Sequence, residues 1–396
     1  MRYLAILAVV YISFLWSCGD STFENRGADS RLYSLETLRV QDSIRTAIHA
    51  KEKSEAIRKL IKGKIDKGFN GNALVVQSGI TLLDTASGFA NFESKIPLSK
   101  SSAFQLASLS KTFTAIAVLK LVDQGKLSLD LTVKDYYPAF PYEGVTIRSL
   151  LSHRSGLPYY EYSFDQKVRS GKLHPDNQDI MNWFIEADPA PARYNLPDHY
   201  FSYNNTNFAI LAALVEKVSK QDFNHFLRDE IFKPLGMNDS YTARELNDSL
   251  QNRTFGYQNG RRIPFDQYDN VLGDKGIFST TGDLLKWYRA LKSEKIVSKE
   301  LLREAYTPRS FEYPGLRNYG YGFRLWLNTK QQTDYVYHTG WWKGYNTIMF
   351  FDLREDFVII LLSNRYNRDV YFIKDIIEVL HGAEGSTTME ENILDE

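Results

Sequence analysis

The sequence predicts an α+β fold in which both ends of the chain contribute strands to one antiparallel sheet. Two observations predict this fold. β-Rich runs occur near both ends, at about 72–83 and 335–362. A long, mostly helical region lies between them, and prolines interrupt its helical segments. Because a sheet must bury at least one face against another layer, a shared sheet flanked by helices is the simplest packing.

The elements before the helical region follow from local patterns. Apolar residues at helical spacing predict one or two helices between about residues 35 and 67. The runs Asn72–Val76 and Ile80–Leu83 flank a Ser-Gly pair, which predicts a β-hairpin. A helix follows residue 108. Thr112–Leu119 carries no charge, so we expect this helix to be buried on most sides, and Gly125 is its expected C-cap.

The later elements complete the sheet. A second apolar helix is predicted at about 211–218, and an aromatic, β-branched run at 335–337 predicts a strand. Asn346–Phe351 and Phe357–Leu362 are separated by a polar turn, so they should pair antiparallel. A final helix is expected at about 370–380.

Composition narrows the class of partner. The 396 residues are 43% hydrophobic and 14% aromatic, enough for a substantial core. Lys+Arg and Asp+Glu both number 48, so the formal net charge is zero. This balance favours neither a nucleic acid nor a polybasic contact with a membrane surface. We therefore expect a small-molecule or peptide substrate; the oligomeric state stays open.

The N-terminus has the pattern of an export signal. Arg2 precedes an uncharged, mostly apolar run to Leu15, which is too short for a bilayer span of about 20 residues. The following Leu15-Trp16-Ser17-Cys18 resembles a bacterial lipoprotein signal, in which the cysteine is lipidated. The alternative is a plain secretory signal that happens to contain Cys18. This is the only cysteine, so a disulfide within one chain and a cysteine-based metal cluster are excluded.

Ser108 and Lys111 are the first candidates for catalysis. They form the single Ser-x-x-Lys of the chain, and positions i and i+3 share one face of a helix. Burial and the positive end of the helix both disfavour a charged lysine, so Lys111 is expected to act as a base that activates the Ser108 hydroxyl. By itself the spacing also fits a capping serine followed by a surface lysine.

Two further segments support the catalytic interpretation. Tyr203 and Asn205 lie in a loop before the second apolar helix, where a phenol could share the proton relay and an amide could hold a substrate. His338, Thr339 and Gly340 end a β-rich run, and could offer a cation and a hydroxyl to a carboxylate beside a glycine that permits close approach. Taken singly, these segments also fit an asparagine-rich turn and a strand-to-turn junction.

The order Ser-x-x-Lys, Tyr-x-Asn, His-Thr-Gly resembles the penicillin-recognising serine hydrolases, which include class C-type β-lactamases, DD-carboxypeptidases, D-aminopeptidases and esterases. The similarity runs from about Gly71 to His381. Four longer segments also match the family's pattern: Phe104–Phe113, Leu150–Pro158, Phe201–Asn207 and Gly276–Thr280. His153, within the second of these segments, is expected to pack and hydrogen-bond rather than to catalyse.

The resemblance implies a five-stranded antiparallel sheet flanked by helices, plus an all-helical lobe at about 113–265. It implies that Ser108 is acylated, that Lys111 is its base and that Tyr203 shuttles protons. It assigns substrate contacts to Asn205, His338, Thr339 and Gly340. The backbone N–H groups of Ser108 and Trp341 would form the oxyanion hole. Trp341 replaces the small residue usual there, so its side chain would narrow the acyl site.

The predicted organisation has four parts: a lipoprotein signal at 1–18 ending in lipidated Cys18, a linker at 19–34, a hydrolase domain at 35–384, and a disordered acidic tail at 385–396.

The leading functional hypothesis is a lipid-anchored hydrolase of the bacterial cell envelope that acts through an acyl-enzyme. It would be DD-peptidase-like or esterase-like and act on D-amino-acid peptides or esters. β-Lactamase activity is the alternative, disfavoured because His338 stands where most β-lactamases carry lysine. A catalytically silent envelope binding protein is the alternative from another class.

Other enzyme classes lack their motifs. The chain has no Gly-x-Ser-x-Gly, no His-Glu-x-x-His, no P-loop and no Gly-x-Gly-x-x-Gly. We therefore expect no cofactor.

Overall fold

The computed structural model describes residues 26–163, 174–247, 249–293, 295–352, 354–371 and 373–382, with side chains from residue 37. The chain forms two compact units, Met1–Ile48 and His49–Glu396. The described part of the first unit is helix α1 (Arg26–Ala47), which begins within the segment 19–34 predicted as a linker. The predicted signal, the lipidated Cys18 and the acidic tail lie outside the described residues.

A seven-stranded antiparallel sheet organises the second unit. Its strands are, in spatial order, β10 (Arg317–Tyr319), β11 (Arg324–Leu327), β12 (Thr333–Trp342), β13 (Tyr345–Asp352), β14 (Phe357–Ser363), β1 (Gly71–Gln77) and β2 (Ile80–Ser87). The N-terminal hairpin joins the C-terminal strands through β1 and β14, where Gly71 lies opposite Ser363. The prediction of a sheet shared between the chain ends is therefore confirmed.

The strand count differs from the prediction. Both predicted hairpins are present, β1 with β2 and β13 with β14, but the sheet has seven strands instead of five. The two additional strands, β10 and β11, form the far edge beyond β12. They are short, and Gly320 and Gly322 lie between them, so the sequence there has the pattern of a loop.

In the sequence, the helical region lies between the N-terminal hairpin of β1 and β2 and the C-terminal strands of the sheet. Its helices, and those that cover the sheet, are α2 (Ala50–Asp66), α3 (Ser110–Asp123), α4 (Val133–Tyr136), α5 (Ile147–Leu151), α6 (Tyr160–Ser163), α7 (Asn177–Glu186), α8 (Asn205–Ser219), α9 (Phe223–Leu227), α10 (Thr281–Lys292), α11 (Lys299–Ala305) and α12 (Lys374–His381). None of the helices in the described ranges is both long and apolar enough to cross a membrane.

Seven short strands lie outside the main sheet: β3 (Phe89–Asn91), β4 (Ile96–Pro97), β5 (Phe104–Gln105), β6 (Tyr241–Thr242), β7 (Tyr257–Gln258), β8 (Arg261–Arg262) and β9 (Ile277–Ser279). Strands β5 and β6 pair with opposite sides of β9. This small sheet ties the chain just before residue 108 to the chain just after residue 276.

Helix α3 lies in the centre of the core, as its uncharged sequence predicts. Every residue from Ser110 to Leu119 is buried. The Phe113 ring stacks on Trp287 of α10, with centroids 4.1 Å apart. The helix ends near Gly125 as predicted, but its C-cap is Gln124. Gly125 is the next residue, with φ +68°, and its N–H donates to the carbonyl of Val122.

Strand β12 packs directly on the segment that precedes α3. A Cβ added at Gly340 would lie 2.0 Å from the carbonyl oxygen of Leu106 and 2.4 Å from Thr347 Oγ1. The Thr347 hydroxyl donates to the same Leu106 carbonyl at 2.7 Å. The close approach that Gly340 permits is thus between two parts of the chain, and it places β12 beside residue 108.

We predict that Gly340→Ala destabilises the protein by about 3 kcal/mol or more, because the added methyl must displace backbone atoms in a packed core. Gly63→Ala in α2 is the matched control. No atom lies within 4 Å of its added Cβ, so it should stabilise the protein by about 0.5–1 kcal/mol through helix propensity. Urea unfolding measures the free energy of unfolding of both variants. Equal effects of the two substitutions would contradict this account of the β12 contact.

Candidate active site

Ser108 lies in a short 3₁₀ turn, Ala107–Leu109, that leads directly into α3. The turn is held by the small sheet, since the Leu106 N–H donates to the Ile277 carbonyl at 2.7 Å. Ala107 is buried and has φ +51°, in the left-handed region that costs a residue with a Cβ about 1–2 kcal/mol. The surrounding contacts hold this unfavourable conformation immediately before Ser108.

Lys111 is fully buried and faces Ser108 one turn along the helix. Its Nζ donates to Ser108 Oγ at 3.0 Å and to the backbone carbonyl of Asp274 at 2.8 Å. The structure therefore brings the two residues together as the spacing predicts. The Asp274 carbonyl orients the amine, so the Lys111 nitrogen lies within proton-transfer distance of the serine hydroxyl.

Tyr203 lies beside Lys111 and Arg324. Its ring lies 5.1 Å from Lys111 Nζ and 5.1 Å from the guanidinium carbon of Arg324. The Tyr203 hydroxyl is buried, and no hydrogen-bond partner for it occurs among the residues that the structure describes. A buried hydroxyl without a partner is costly, so this phenol is placed to bond a group that enters the site.

Asn205 contacts a carboxylate that the sequence analysis did not include. Its Nδ2 donates to Glu161 Oε1 at 2.6 Å. Burial raises the pKa of the Glu161 carboxyl, and the nearby Lys275 ammonium opposes that effect. Within the described part of the chain, Asn205 Oδ1 and Glu161 Oε2 are buried and have no hydrogen-bond partner.

His338 differs from the expectation that it offers a cation to the substrate. It is buried, its Nε2 lies 3.0 Å from the Tyr319 hydroxyl, and its Nδ1 lies 2.7 Å from the Thr339 carbonyl. The carbonyl can only accept, so Nδ1 carries the proton and Nε2 accepts from Tyr319. Burial, with the nearby Arg324 and Lys111, holds the pKa of His338 well below 6.5. The expectation of a cation at His338 is therefore wrong.

His153 has the packing position expected for it. It is fully buried, and its Nδ1 accepts from the Asn204 backbone N–H at 3.1 Å. Its ring lies 4.3 Å from the Tyr203 ring. Burial, followed by the charge of Lys111, holds the pKa of His153 well below 6.5. The imidazole is thus a neutral support for the loop that carries Tyr203.

An open cleft of about 540 Å³ gives access to Ser108. Tyr203, Thr339 and Trp341 line it with Ser108, and Trp341 is 59% exposed. Three arginines line the same cleft: Arg317, Arg324 and Arg368. Among the described residues that line it, none is acidic. The positive charge expected from His338 is thus supplied by arginines, which favour an anionic group on the substrate.

The predicted site residues lie in different surroundings in the structure. Ser108, Tyr203 and Thr339 line the cleft and Lys111 is buried beside Ser108, whereas Gly340 contacts Leu106. The Trp341 side chain also lines the cleft, and that it narrows the acyl site stays a prediction. The oxyanion hole stays a prediction.

Over the described ranges, no group of three histidine, cysteine, aspartate or glutamate side chains is arranged to hold a metal ion.

Sequence reasoning missed Arg324, Glu161 and the Asp274 carbonyl. Arg324 lies at the start of β11, a strand that was not predicted. Glu161 belongs to the Tyr159–Tyr162 run, in which a single acidic residue among aromatic residues is a possible signal. A backbone carbonyl leaves no signal in a sequence.

Comparison with known proteins decides the family. Residues 57–384 match the family model described as Beta-lactamase. The chain belongs to this family. It is 33% identical over 312 residues to penicillin-binding protein 4* of Bacillus subtilis (strain 168), a match that covers 75% of this chain and 68% of that protein. The family and this relative identify the chain as a serine hydrolase of the β-lactamase and DD-peptidase type.

Two further likenesses agree with that assignment. Protein flp of Staphylococcus aureus (strain MW2) is 23% identical over 329 residues, which cover 79% of this chain and 63% of flp. This chain thus spans about two thirds of the length of these curated relatives. The crystal structure of a penicillin-binding protein from Bacillus halodurans superposes with a TM-score of 0.68 at 26% identity, covering 80% of this chain and 96% of that one.

The buried His338 predicts a pH-dependent stability. Its folded pKa lies below the unfolded value of about 6.5, so the unfolded chain binds the proton first and stability falls as pH drops below 6.5. Between pH 7 and 5, the wild type should lose up to about 1.4 kcal/mol per pH unit more than His338→Gln. Urea unfolding across this range measures the difference. Parallel pH dependences of the two proteins would show that His338 is not held neutral by the fold.

Proposed function

We propose that this chain is an exported serine hydrolase that forms an acyl-enzyme at Ser108 and acts on D-amino-acid peptides or esters. The single observation that carries the proposal is the bond between Lys111 Nζ and Ser108 Oγ at 3.0 Å, at the floor of an open cleft. A serine is a weak nucleophile unless a base lies at this distance. The D-configured substrates rest on the resemblance to DD-peptidases, D-aminopeptidases and related esterases.

Acylation follows from the positions of three side chains. Ser108 Oγ attacks the substrate carbonyl while Lys111 Nζ takes the hydroxyl proton. The tetrahedral intermediate collapses when the leaving nitrogen or oxygen receives a proton, and Tyr203, whose ring lies 5.1 Å from Lys111 Nζ, relays it. Water then attacks the acyl-enzyme, the proton flow reverses, and Ser108 is restored with release of the acid.

The arginines of the cleft support substrates with a negative charge on the leaving-group side. Arg324 lies against the Tyr203 ring, and Thr339 lines the same wall. A guanidinium beside a hydroxyl binds a carboxylate by charge-assisted hydrogen bonds. The free C-terminal carboxylate of a short peptide would therefore be held beside the residue that protonates its leaving nitrogen.

β-Lactamase activity is disfavoured by the same geometry. The residue at the position of the usual lysine, His338, is neutral and bonded to Tyr319. A silent binding protein is disfavoured because Ser108, Lys111 and Tyr203 are all present and close to one another. The silent binding protein is one outcome of the labelling experiment.

A fluorophosphonate probe should label the wild type and leave Ser108→Ala unlabelled. Lys111→Met should lower the labelling rate by about 10³-fold or more, because the serine loses its base. Gel fluorescence measures the labelling, and the unfolding transition of each variant provides the control for folding. Labelling of Ser108→Ala at the wild-type rate would place the nucleophile elsewhere, and no labelling of a folded wild type would favour the silent binding protein.

Arg324→Gln should raise KM for D-alanyl-D-alanine by about 10- to 100-fold, because one charge-assisted contact to the carboxylate is lost. KM for the corresponding C-terminal amide should change little in the same variant, which separates charge recognition from a disturbed Tyr203. Arg261→Gln, at an exposed position on β8, is the matched control. If Arg324→Gln impaired the peptide and its amide equally, Arg324 would not be the carboxylate contact.

Export and lipidation at Cys18 are part of the proposal. The apolar run and the Leu-Trp-Ser-Cys sequence support it. When the full chain is produced in a bacterium, mass spectrometry should find a mature N-terminus at lipidated Cys18, and the protein should sediment with membranes. Cys18→Ser should release it into the soluble exported fraction. A membrane-bound Cys18→Ser protein, or a wild type with an unmodified cysteine, would overturn the lipid anchor.

A further inference from the structure

A buried ion cluster, formed by Asp274, Lys275 and Tyr160, lies next to Lys111. Lys275 Nζ donates to Asp274 Oδ2 at 2.7 Å and to the Tyr160 hydroxyl at 2.5 Å. The Tyr160 hydroxyl donates to the same Oδ2 at 3.1 Å. Because the backbone carbonyl of Asp274 accepts from Lys111 Nζ at 2.8 Å, the ion cluster and the base meet at one residue.

The segment that carries Asp274 is held against α3 by bonds that need no charge. Thr114 Oγ1 donates to the Gly273 carbonyl at 2.6 Å, and the Ile277 N–H donates to Ser110 Oγ at 3.2 Å. These bonds fix the backbone on both sides of Asp274. Exchange of a buried ion pair for apolar residues is often neutral or stabilising. Stability of the fold alone therefore does not explain the ion cluster.

Lys275 stays charged in this buried position. Burial opposes its charge, but the carboxylates of Asp274 and Glu161 outweigh burial and raise the pKa of Lys275. Its Nζ also lies 4.9 Å from the centre of the Trp342 ring, where a cation is attracted. The charge of Lys275 therefore balances that of Asp274, the residue whose carbonyl bonds Lys111.

Without that balance, the Asp274 carboxylate would act on the base. A nearby negative charge favours the ammonium form of a lysine, which cannot take a proton from Ser108. We propose that Lys275 and Tyr160 are positioning residues that act through Asp274. They bind its carboxylate, so that its carbonyl is held at the amine of Lys111 while its negative charge is balanced. This assignment rests on the proposed function, because it concerns the base that activates Ser108.

The other ionisable groups around Lys111 are the same in every variant of the test. Those on its other sides are Tyr203, Arg324, His153 and His338, and Glu161 lies near Asp274. A change in the pH dependence of the reaction can therefore be assigned to the charges at residues 274 and 275.

The test measures the rate of Ser108 labelling by the fluorophosphonate as a function of pH. In Lys275→Met, the unbalanced Asp274 carboxylate favours the ammonium form of Lys111. The pH of half-maximal labelling should rise by about one unit, and the rate below that pH should fall about tenfold. In Asp274→Asn, the unbalanced Lys275 should shift the half-maximal pH downwards.

Two further variants separate charge from position. The double variant Asp274→Asn/Lys275→Met has neither charge, and its half-maximal pH should return to within about 0.3 units of the wild-type value. Tyr160→Phe keeps both charges and removes one contact to the Asp274 carboxylate. It should lower the labelling rate about threefold to tenfold at every pH, without a shift.

Lys286→Met is the matched control, because it removes the cation that bonds Asp283, a buried carboxylate of α10. It should change neither the rate nor its pH dependence. The unfolding transition of each variant shows whether it is folded. If Lys275→Met does not fold, Asp274→Asn and the double variant decide.

The outcomes separate this inference from the proposed function. An unchanged half-maximal pH in a folded single variant, shifts of both single variants in the same direction, or a double variant that keeps the shift of Lys275→Met would overturn the inference. Labelling of the wild type at Ser108 would leave the proposed function intact in each of these cases. Absence of Ser108 labelling in the folded wild type would overturn the proposed function, and this inference with it.

Discussion

The buried amine of Lys111 is the group on which the architecture of the site depends. It bonds Ser108 Oγ on one side and the Asp274 carbonyl on the other. Holding a lysine nitrogen at such a place requires that helix α3 be surrounded by protein, that the 3₁₀ turn before it be fixed, and that the Asp274 segment lie alongside. The structure meets these requirements through the small sheet of β5, β9 and β6 and through the contact of Gly340 with Leu106. The main sheet thus has a direct role in positioning Ser108.

Positively and negatively charged side chains occupy different places around Ser108. Arginines line the open cleft, whereas the carboxylates of Glu161 and Asp274 bond Asn205 and Lys275 and are not among the residues that line it. His153 and His338 lie among these groups but are neutral, because burial and neighbouring cations oppose their protonation. The two histidines therefore support the shape of the site without adding charge.

The sequence predicts the parts of this arrangement that are local. Ser108 and Lys111 are three residues apart on one helix, and the bond between them is the consequence of helical geometry. The two hairpins and the uncharged α3 are likewise encoded by short-range patterns. Strands β10 and β11 are too short, and too close to Gly320 and Gly322, to give a strand pattern.

The remaining features depend on tertiary contacts. His338 was expected to be a cation because the sequence does not show that Tyr319 and the Thr339 carbonyl occupy both ring nitrogens. Glu161 and Asn205 lie far apart in the sequence and meet only in the folded chain. Arg324 lines the cleft because β11 lies beside β12 in the sheet. The order of the motifs predicts the reacting residues, whereas the side chains that surround them are determined by tertiary contacts.

The most direct test of the central claim is to trap the covalent intermediate. Mass spectrometry of the acid-quenched reaction with D-alanine benzyl ester, followed by peptide mapping, should find one D-alanyl adduct on the peptide that contains Ser108. The adduct should be absent from a folded Lys111→Met protein. Hydrolysis of the ester by the wild type with no adduct on that peptide at any quench time, or with an adduct on another residue, would contradict the claim that Ser108 is the nucleophile activated by Lys111.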